Sequence, residues 1–198
     1  MQCKKATSFP FDYHKFQDLL ELSDMSDDTS NPFALARDEF VSQWGAIGNA
    51  WGINRTMSQI HALLITTPFA MTTDEVMDEL KISRGNANGN LRELTSWGLI
   101  RSVVRKGERK EYFEAEKDVW KMFCIITRER RRREISPAIE VLRNVAAKAE
   151  SLDGNEAAVF TGQMKALLSF LETADNVMEK VARADQSVVL PWALKFLK

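Results

Sequence analysis

The stretch from Thr72 to Ala115, TTDEVMDELKISRGNANGNLRELTSWGLIRSVVRKGERKEYFEA, leaves this chain few ways to fold. Thr72 or Thr73 can cap a helix whose first turn holds Asp74 and Glu75, favourably placed near its positive end. Val76, Met77 and Leu80 of that helix face inward. Lys81-Ile82 makes a tight turn and Ser83 caps the next helix. From Arg84 to Trp97, the residues Ala87, Leu91 and Leu94 fall at i, i+4 and i+7, on one face. Gly98 ends this helix. Leu99 to Val104 and Glu111 to Ala115 then have strand character, joined by RKGERK with Gly107 at the turn. Two helices across a turn and a hairpin with a basic tip form the layout of a winged helix-turn-helix. That layout sets one helix in the major groove of DNA and the hairpin beside it. The expected fold is mainly α with a small β-hairpin.

The face of the second helix opposite Ala87, Leu91 and Leu94 holds Gly85, Asn88, Gly89, Arg92 and Ser96, with Asn86 and Asn90 on a flank. A surface helix selected for stability would carry Ala, Glu and Lys there. Two glycines one turn apart instead suit a helix pressed against a phosphate backbone or a groove wall. Asn pairs with adenine N6/N7 and Arg with guanine O6/N7. At the hairpin tip, Arg105, Lys106, Arg109 and Lys110 suit phosphates or the minor groove.

Charge is partitioned along the chain. The net charge is −1. Residues 1–82 carry six Lys/Arg against twelve Asp/Glu, residues 83–133 fourteen against seven, and residues 134–198 seven against nine. The basic block starts at the turn of the helix-turn-helix and includes the wing, where a phosphate-facing surface is needed. A hydrophobic content of 44% with 28% charged residues is ordinary for a globular protein. No apolar run reaches the roughly 18 residues that span a bilayer, and MQCKKATSFPFDYHKF lacks the apolar stretch of a signal peptide. Cys3 and Cys124 form neither a CxxC nor a His/Cys cluster, which suits a reducing cytoplasm and speaks against a zinc site.

Outside the winged segment the pattern is helical. A short helix is expected over Phe11 to Leu22, then a polar loop from Ser23 to Pro32. Phe33, Ala36, Phe40, Val41, Trp44, Ile47 and Trp51 recur at helical spacing. On that helix Gly45 and Gly48 would let another backbone come close. A second helix, capped by Asn54 or Thr56, runs to about Thr67 with Ile60, Leu63 and Leu64 as its stripe, and Pro68 stops it. A long helix begins near Lys117. Its arginine run RERRRRE reads first as a solvated face or an intrahelical ion-pair set, and second as a flanking DNA contact or a partner for the acidic N-terminal part. Ser136-Pro137 is expected to cap a new helix and to break or kink the chain. A last helix, Glu156 to about Ala184, and the apolar tail SVVLPWALKFLK follow. The expected division is residues 1–54 for dimer or core packing, 55–116 for the winged helix, and 117–198 for dimerisation. The surplus of apolar helical surface outside the winged segment predicts a two-fold homodimer.

The chain resembles the GbsR branch of the MarR-type regulators over roughly Trp44 to Leu142. The resemblance rests on ISRGNANGNLREL, the WGLI after it, the wing KGERKEYFEAEKD with Trp120, and RERRRREI before Pro137. It implies a cytoplasmic, dimeric winged-helix repressor that binds double-stranded DNA and responds to a small-molecule effector, choline or betaine in the founding examples. The DNA contacts it implies fall on Ser83, Arg84, Asn86, Asn88, Asn90 and Arg92, with Arg105, Lys106 and Arg109 in the wing.

Two other classes of function compete. A winged helix can serve protein contacts without DNA, but such a wing would expose more apolar residues than this one. An enzyme is disfavoured. His14 and His61 are the two histidines of the chain, His61 reads as a satisfied core or boundary histidine, and no nucleophile elbow, P-loop or GxGxxG appears. No cofactor motif or membrane segment is present. Trp44, Trp51 and Trp120 flank the junction between winged helix and helical layer. With Phe40 they could contribute to an aromatic cage for a quaternary ammonium effector, although Trp44 and Trp51 at i and i+7 suit plain core or interface packing better.

Overall fold

A computed structural model describes residues 31–183. The expected Phe11–Leu22 helix, most of the loop after it and the apolar tail lie outside those residues. The chain falls into two units, residues 1–39 and 40–198. The described part of the first is the opening of helix α1 (Pro32–Ala50), where Asn31 Oδ1 accepts the Phe33 amide at 3.0 Å.

In the second unit, α1 continues into α2 (Arg55–Thr66), β1 (Met71–Thr72), α3 (Thr73–Leu80), α4 (Arg84–Trp97), β2 (Ile100–Val104), β3 (Glu111–Ala115), α5 (Val119–Arg130), a π-helical turn (Arg131–Ile135), α6 (Ser136–Ala149) and α7 (Asn155–Arg183). The sheet is antiparallel in the order β1-β3-β2, with Met71 opposite Phe113 and Ile100 opposite Ala115. The layout is that of a winged helix.

Caps set the boundaries. Asn54 Oδ1 accepts the Met57 amide at the start of α2. Thr72 and Glu75 form a reciprocal capping box on α3. Ser83 caps α4, and Gly98, at φ 83°, closes it in the left-handed region. At its far end α2 is closed from a distance. Lys117 Nζ donates to the carbonyls of Leu64, Ile65 and Thr67 at 2.5–2.7 Å. This supplies a cation to orphan acceptors at a helix C-terminus.

The core lies under α2, α3, α4 and the sheet. Ile60, Leu63, Leu64, Val76, Leu91 and Leu94 are its largest fully buried side chains, with Phe113 and Met122 closing it. Val41 is buried there too, and Phe40 and Trp44 pack against it. The glycines of α1 make room for side chains of α2, where the close approach of another backbone was expected. A Cβ on Gly48 would overlap Ser58 of α2, and one on Gly45 would collide with Gln59. Among the described residues no helix is long and apolar enough to cross a membrane.

The chain does not break at Ser136-Pro137. Ser136 is α-helical at φ −60°, ψ −44°, its amide reaches back to the Arg131 carbonyl, and its hydroxyl donates to the same oxygen at 3.1 Å. Ser136 therefore caps nothing. The missing N–H of Pro137 falls where the ladder already changes from i→i+5 to i→i+4, so the helix absorbs the proline. Helix α7 buries no residue fully, and Val159, Phe160, Leu167, Phe170 and Val177 stand exposed along it.

Candidate nucleic-acid interface and adjoining cavity

The start of α4 is held by neighbours that sort its polar side chains. Ser83 Oγ accepts the Asn86 amide at 3.4 Å. Arg84 pairs with Asp74 of α3 at 2.5 Å, and both remain largely exposed. Asn88 is half-buried, and Thr73 Oγ1 donates to its Oδ1 at 3.4 Å. Asn86 reaches Thr56 Oγ1 at 3.5 Å. Asn90 turns back on its own helix, donating to the Asn86 carbonyl at 2.8 Å and side chain at 2.7 Å. Arg92 is exposed and has no ion pair or hydrogen bond among the described residues. The outward face is therefore Gly85, Gly89 and Arg92, flanked by Asn88 on the α3 side and by Asn86 on the other. A Cβ at Gly85 or Gly89 would meet nothing within 4 Å, so no contact inside the described fold requires glycine at either position.

In the wing, the Arg105 guanidinium lies 4.0 Å from the centroid of the Tyr112 ring, and the Tyr112 hydroxyl donates to Glu108. Arg105 thus stiffens the hairpin. Lys106, Arg109 and Lys110 are exposed without ion-pair partners among the described residues, and Gly107 turns the tip at φ 88°. Arg92 and these three side chains are the uncommitted cations of the interface.

The arginine run has other work. Arg133 donates to Glu93 of α4 at 2.7 Å and lies 4.8 Å from the Trp97 ring centroid. Arg131 holds Asp175 and Glu179 of α7 at 2.6–3.0 Å. Arg132 pairs with Glu129 at 2.6 Å, and Arg130 donates to the Trp51 carbonyl at 2.6 Å. Part of the run is the expected intrahelical set. The rest ties the turn to Trp51, to α4 and to α7, a use that the sequence did not disclose because the partners lie 40 to 79 residues away.

Behind α4 lies a cavity of about 370 Å³ between α1, α2, the end of α4 and α5. Trp44 and Trp51 line it, as does Trp97, which sequence reasoning read as the end of a helix. Trp120 does not. It sits in a separate cleft with Cys124, Arg128 and Ala182, its ring 5.5 Å from that of Phe123, which does face the cavity. His61 is buried as expected, at 4% exposure, but not satisfied. Its Nε2 lacks a hydrogen-bond partner among the described residues. Burial, with a smaller contribution from the Lys117 charge, lowers its pKa to about 4. Among the described residues no three His, Cys, Asp or Glu side chains gather to hold a metal ion.

No known family profile matches the chain. It is 22% identical over 165 residues to the HTH-type transcriptional repressor GbsR of Bacillus subtilis (strain 168), spanning 79% of this chain and 91% of that protein. Its fold is similar to the crystal structure of a transcriptional regulator, with a TM-score of 0.61 at 20% identity, over 74% of this chain and 95% of that one.

Proposed function

We propose that this chain is a DNA-binding transcriptional regulator that acts in the cytoplasm as a homodimer, with a small molecule setting its affinity for DNA. The observation that carries the proposal is the outward face of α4, bare of side chains at Gly85 and Gly89 and bearing the uncommitted Arg92, beside an unpaired basic wing tip. Arg92 can address guanine, and Asn88 or Asn86 can address adenine, once the helix enters a major groove. Lys106, Arg109 and Lys110 meet phosphates, which fix position without reading sequence. Ser83 and Arg84 stand at the helix start, where backbone N–H groups also favour phosphate. Asn90 is the residue of this set that lies worst for DNA.

Residues 55–116 form the reading unit in this scheme, and residues 117–198 the dimerisation region. The exposed apolar stripe of α7 supports pairing with a second copy. Two recognition helices then meet an inverted repeat one helical turn apart. The relative GbsR is named as a repressor, and repression is the expected direction here.

Selection of bound fragments from a pool of genomic DNA tests the proposal. A recurrent inverted repeat, bound far more tightly than its scrambled form, is the expected result. Salt-sensitive binding with no preferred sequence would favour the alternative, a winged helix that serves protein contacts.

A further inference from the structure

Asn90, Glu93 and Trp97 fall at i, i+3 and i+7 on α4, so they share one side of the helix, next to the outward face that holds Gly89 and Arg92. That side looks onto the π-helical turn across a polar cleft, which Glu129 and Arg133 line from the opposite wall.

Arg133 closes the cleft. Its guanidinium donates to Glu93 Oε1 at 2.7 Å and lies 4.8 Å from the centroid of the Trp97 ring. The Trp97 indole N–H donates to the same Oε1 at 3.4 Å. On its own helix Arg133 is steadied by Glu129, 3.5 Å away, whose carboxylate is 9% exposed and is also held by Arg132. One arm of this clamp is planted in the helical layer and the other closes on the last turns of α4. Residues two apart on a helix do not face each other, so Arg131 points away from α4, to Asp175 and Glu179 of α7. Across this short turn the recognition helix is tied to α7. Glu93 also stands beside Arg92, where DNA phosphates repel a bare carboxylate. Arg133 neutralises it, which commits the guanidinium to α4 rather than to DNA.

We propose that Arg133 is a positioning residue for DNA recognition: through Glu93 and Trp97 it fixes the tilt of α4 against the helical layer, and so sets the half-site spacing that the dimer accepts. The proposal rests on the reading of the chain as a dimeric DNA-binding regulator. One added base pair moves a half-site by about 3.4 Å and turns it by about 35°. The dimer reaches that half-site by opening the clamp, so the strength of the clamp limits how sharply spacing is read.

Operator DNA with the selected spacer and with one base pair more tests this, on the wild type, Arg133→Gln, Glu93→Gln and the double variant. The wild type should bind the longer spacer more weakly. Each single substitution should shrink that penalty by about threefold to tenfold, the scale of an exposed ion pair together with a cation–π contact, and the double variant should shrink it no further. Affinity for DNA without the operator should move in opposite directions, down for Arg133→Gln and up for Glu93→Gln, as one loses a positive charge and the other a negative one. A role in charge alone would never relax spacing in both. Wild-type spacing penalties in the single variants, or losses that add in the double variant, would overturn the proposal. A second measurement needs no DNA. Spin labels on Ser96→Cys of α4 and Thr173→Cys of α7, in a chain with Cys3→Ala and Cys124→Ala diluted with unlabelled protein, should give a broader distance distribution once Arg133→Gln is added. An unchanged distribution would defeat the clamp. A wild type that prefers no DNA site would reject the regulator reading instead, and the label distances then decide alone whether Arg133 holds α4.

Discussion

Replacing Gly89 by Ala should push folding and DNA binding in opposite directions. Gly89 lies in the middle of α4, with helical backbone and open space where a Cβ would stand. A helix-interior glycine is less favourable than alanine by about 1 kcal/mol, and no clash offsets the gain. For a chain of this size that corresponds to a rise in Tm of about 2–4 °C. If the outward face seats at backbone distance from the groove, the added methyl falls into the interface. Overpacking of a well-fitted contact costs about 1–3 kcal/mol, so operator affinity should drop by about tenfold or more. Urea unfolding measures the first quantity and fluorescence anisotropy with a labelled operator the second, on the same preparation. A stabilised protein with unchanged affinity would refute close approach of this face to DNA. A protein that gains no stability would refute the claim that the glycine is unneeded by the fold.

Phe170→Glu places a charge on the exposed stripe of α7, where the side chain is 70% exposed in the single chain. It should leave the circular dichroism spectrum unchanged, convert a dimer to a monomer in light scattering and weaken operator binding. A dimer that survives the change would place the two-fold contact elsewhere. Arg109→Ala should weaken binding to every DNA sequence and lower the salt slope by about 1 per subunit. Arg92→Ala should relax preference at one or two base positions, at a cost of about 1–3 kcal/mol, read by repeating the site selection. The buried His61 should make the fold acid-sensitive. Its folded pKa, about 4, lies below the unfolded value of 6.5, so the unfolded chain takes up the proton first as pH falls. The stability tied to the neutral imidazole is complete above pH 6.5 and is lost on the way down to about pH 4. The total is about 3 kcal/mol. Urea unfolding at pH 7 and pH 4.5 should show a loss of about 2–3 kcal/mol in the wild type beyond that in His61→Leu.

The winged segment was legible because its signals are local. Ser83, Gly98 and Gly107 punctuate the chain by capping and left-handed backbone, and Ala87, Leu91 and Leu94 declare the buried face within one helix. The cavity was not legible, because it depends on which neighbours converge. Trp97 ends α4 and His61 sits on α2, and nothing in the spacing of either says that α1 and α5 will close over both. Trp120 and Phe123 are three residues apart, yet one faces the cavity and the other a different cleft. Periodicity names a face but not the element that covers it. The same limit applied to Asn88, whose neighbour Thr73 comes from the preceding helix, and to Ser136-Pro137, where a widened turn replaced the expected break.

That widened turn also decides where the long helical stretch from Val119 to Ala149 tolerates a change in length. In a regular α-helix, removal of one residue rotates everything beyond it by about 100°. Removal in α5 or α6 would therefore swing the rest of the chain off its partners. Within Arg131–Ile135 the i→i+5 ladder already stores one residue more than an α-helical turn needs. A single deletion there tightens the turn to ordinary α geometry and leaves α5 and α6 facing as they did. Removal of Arg131 gives up the contact to α7, and removal of Arg133 the contact to α4. A single deletion in this short segment thus acts less as a frameshift of the architecture than as a way to rewire what the turn holds.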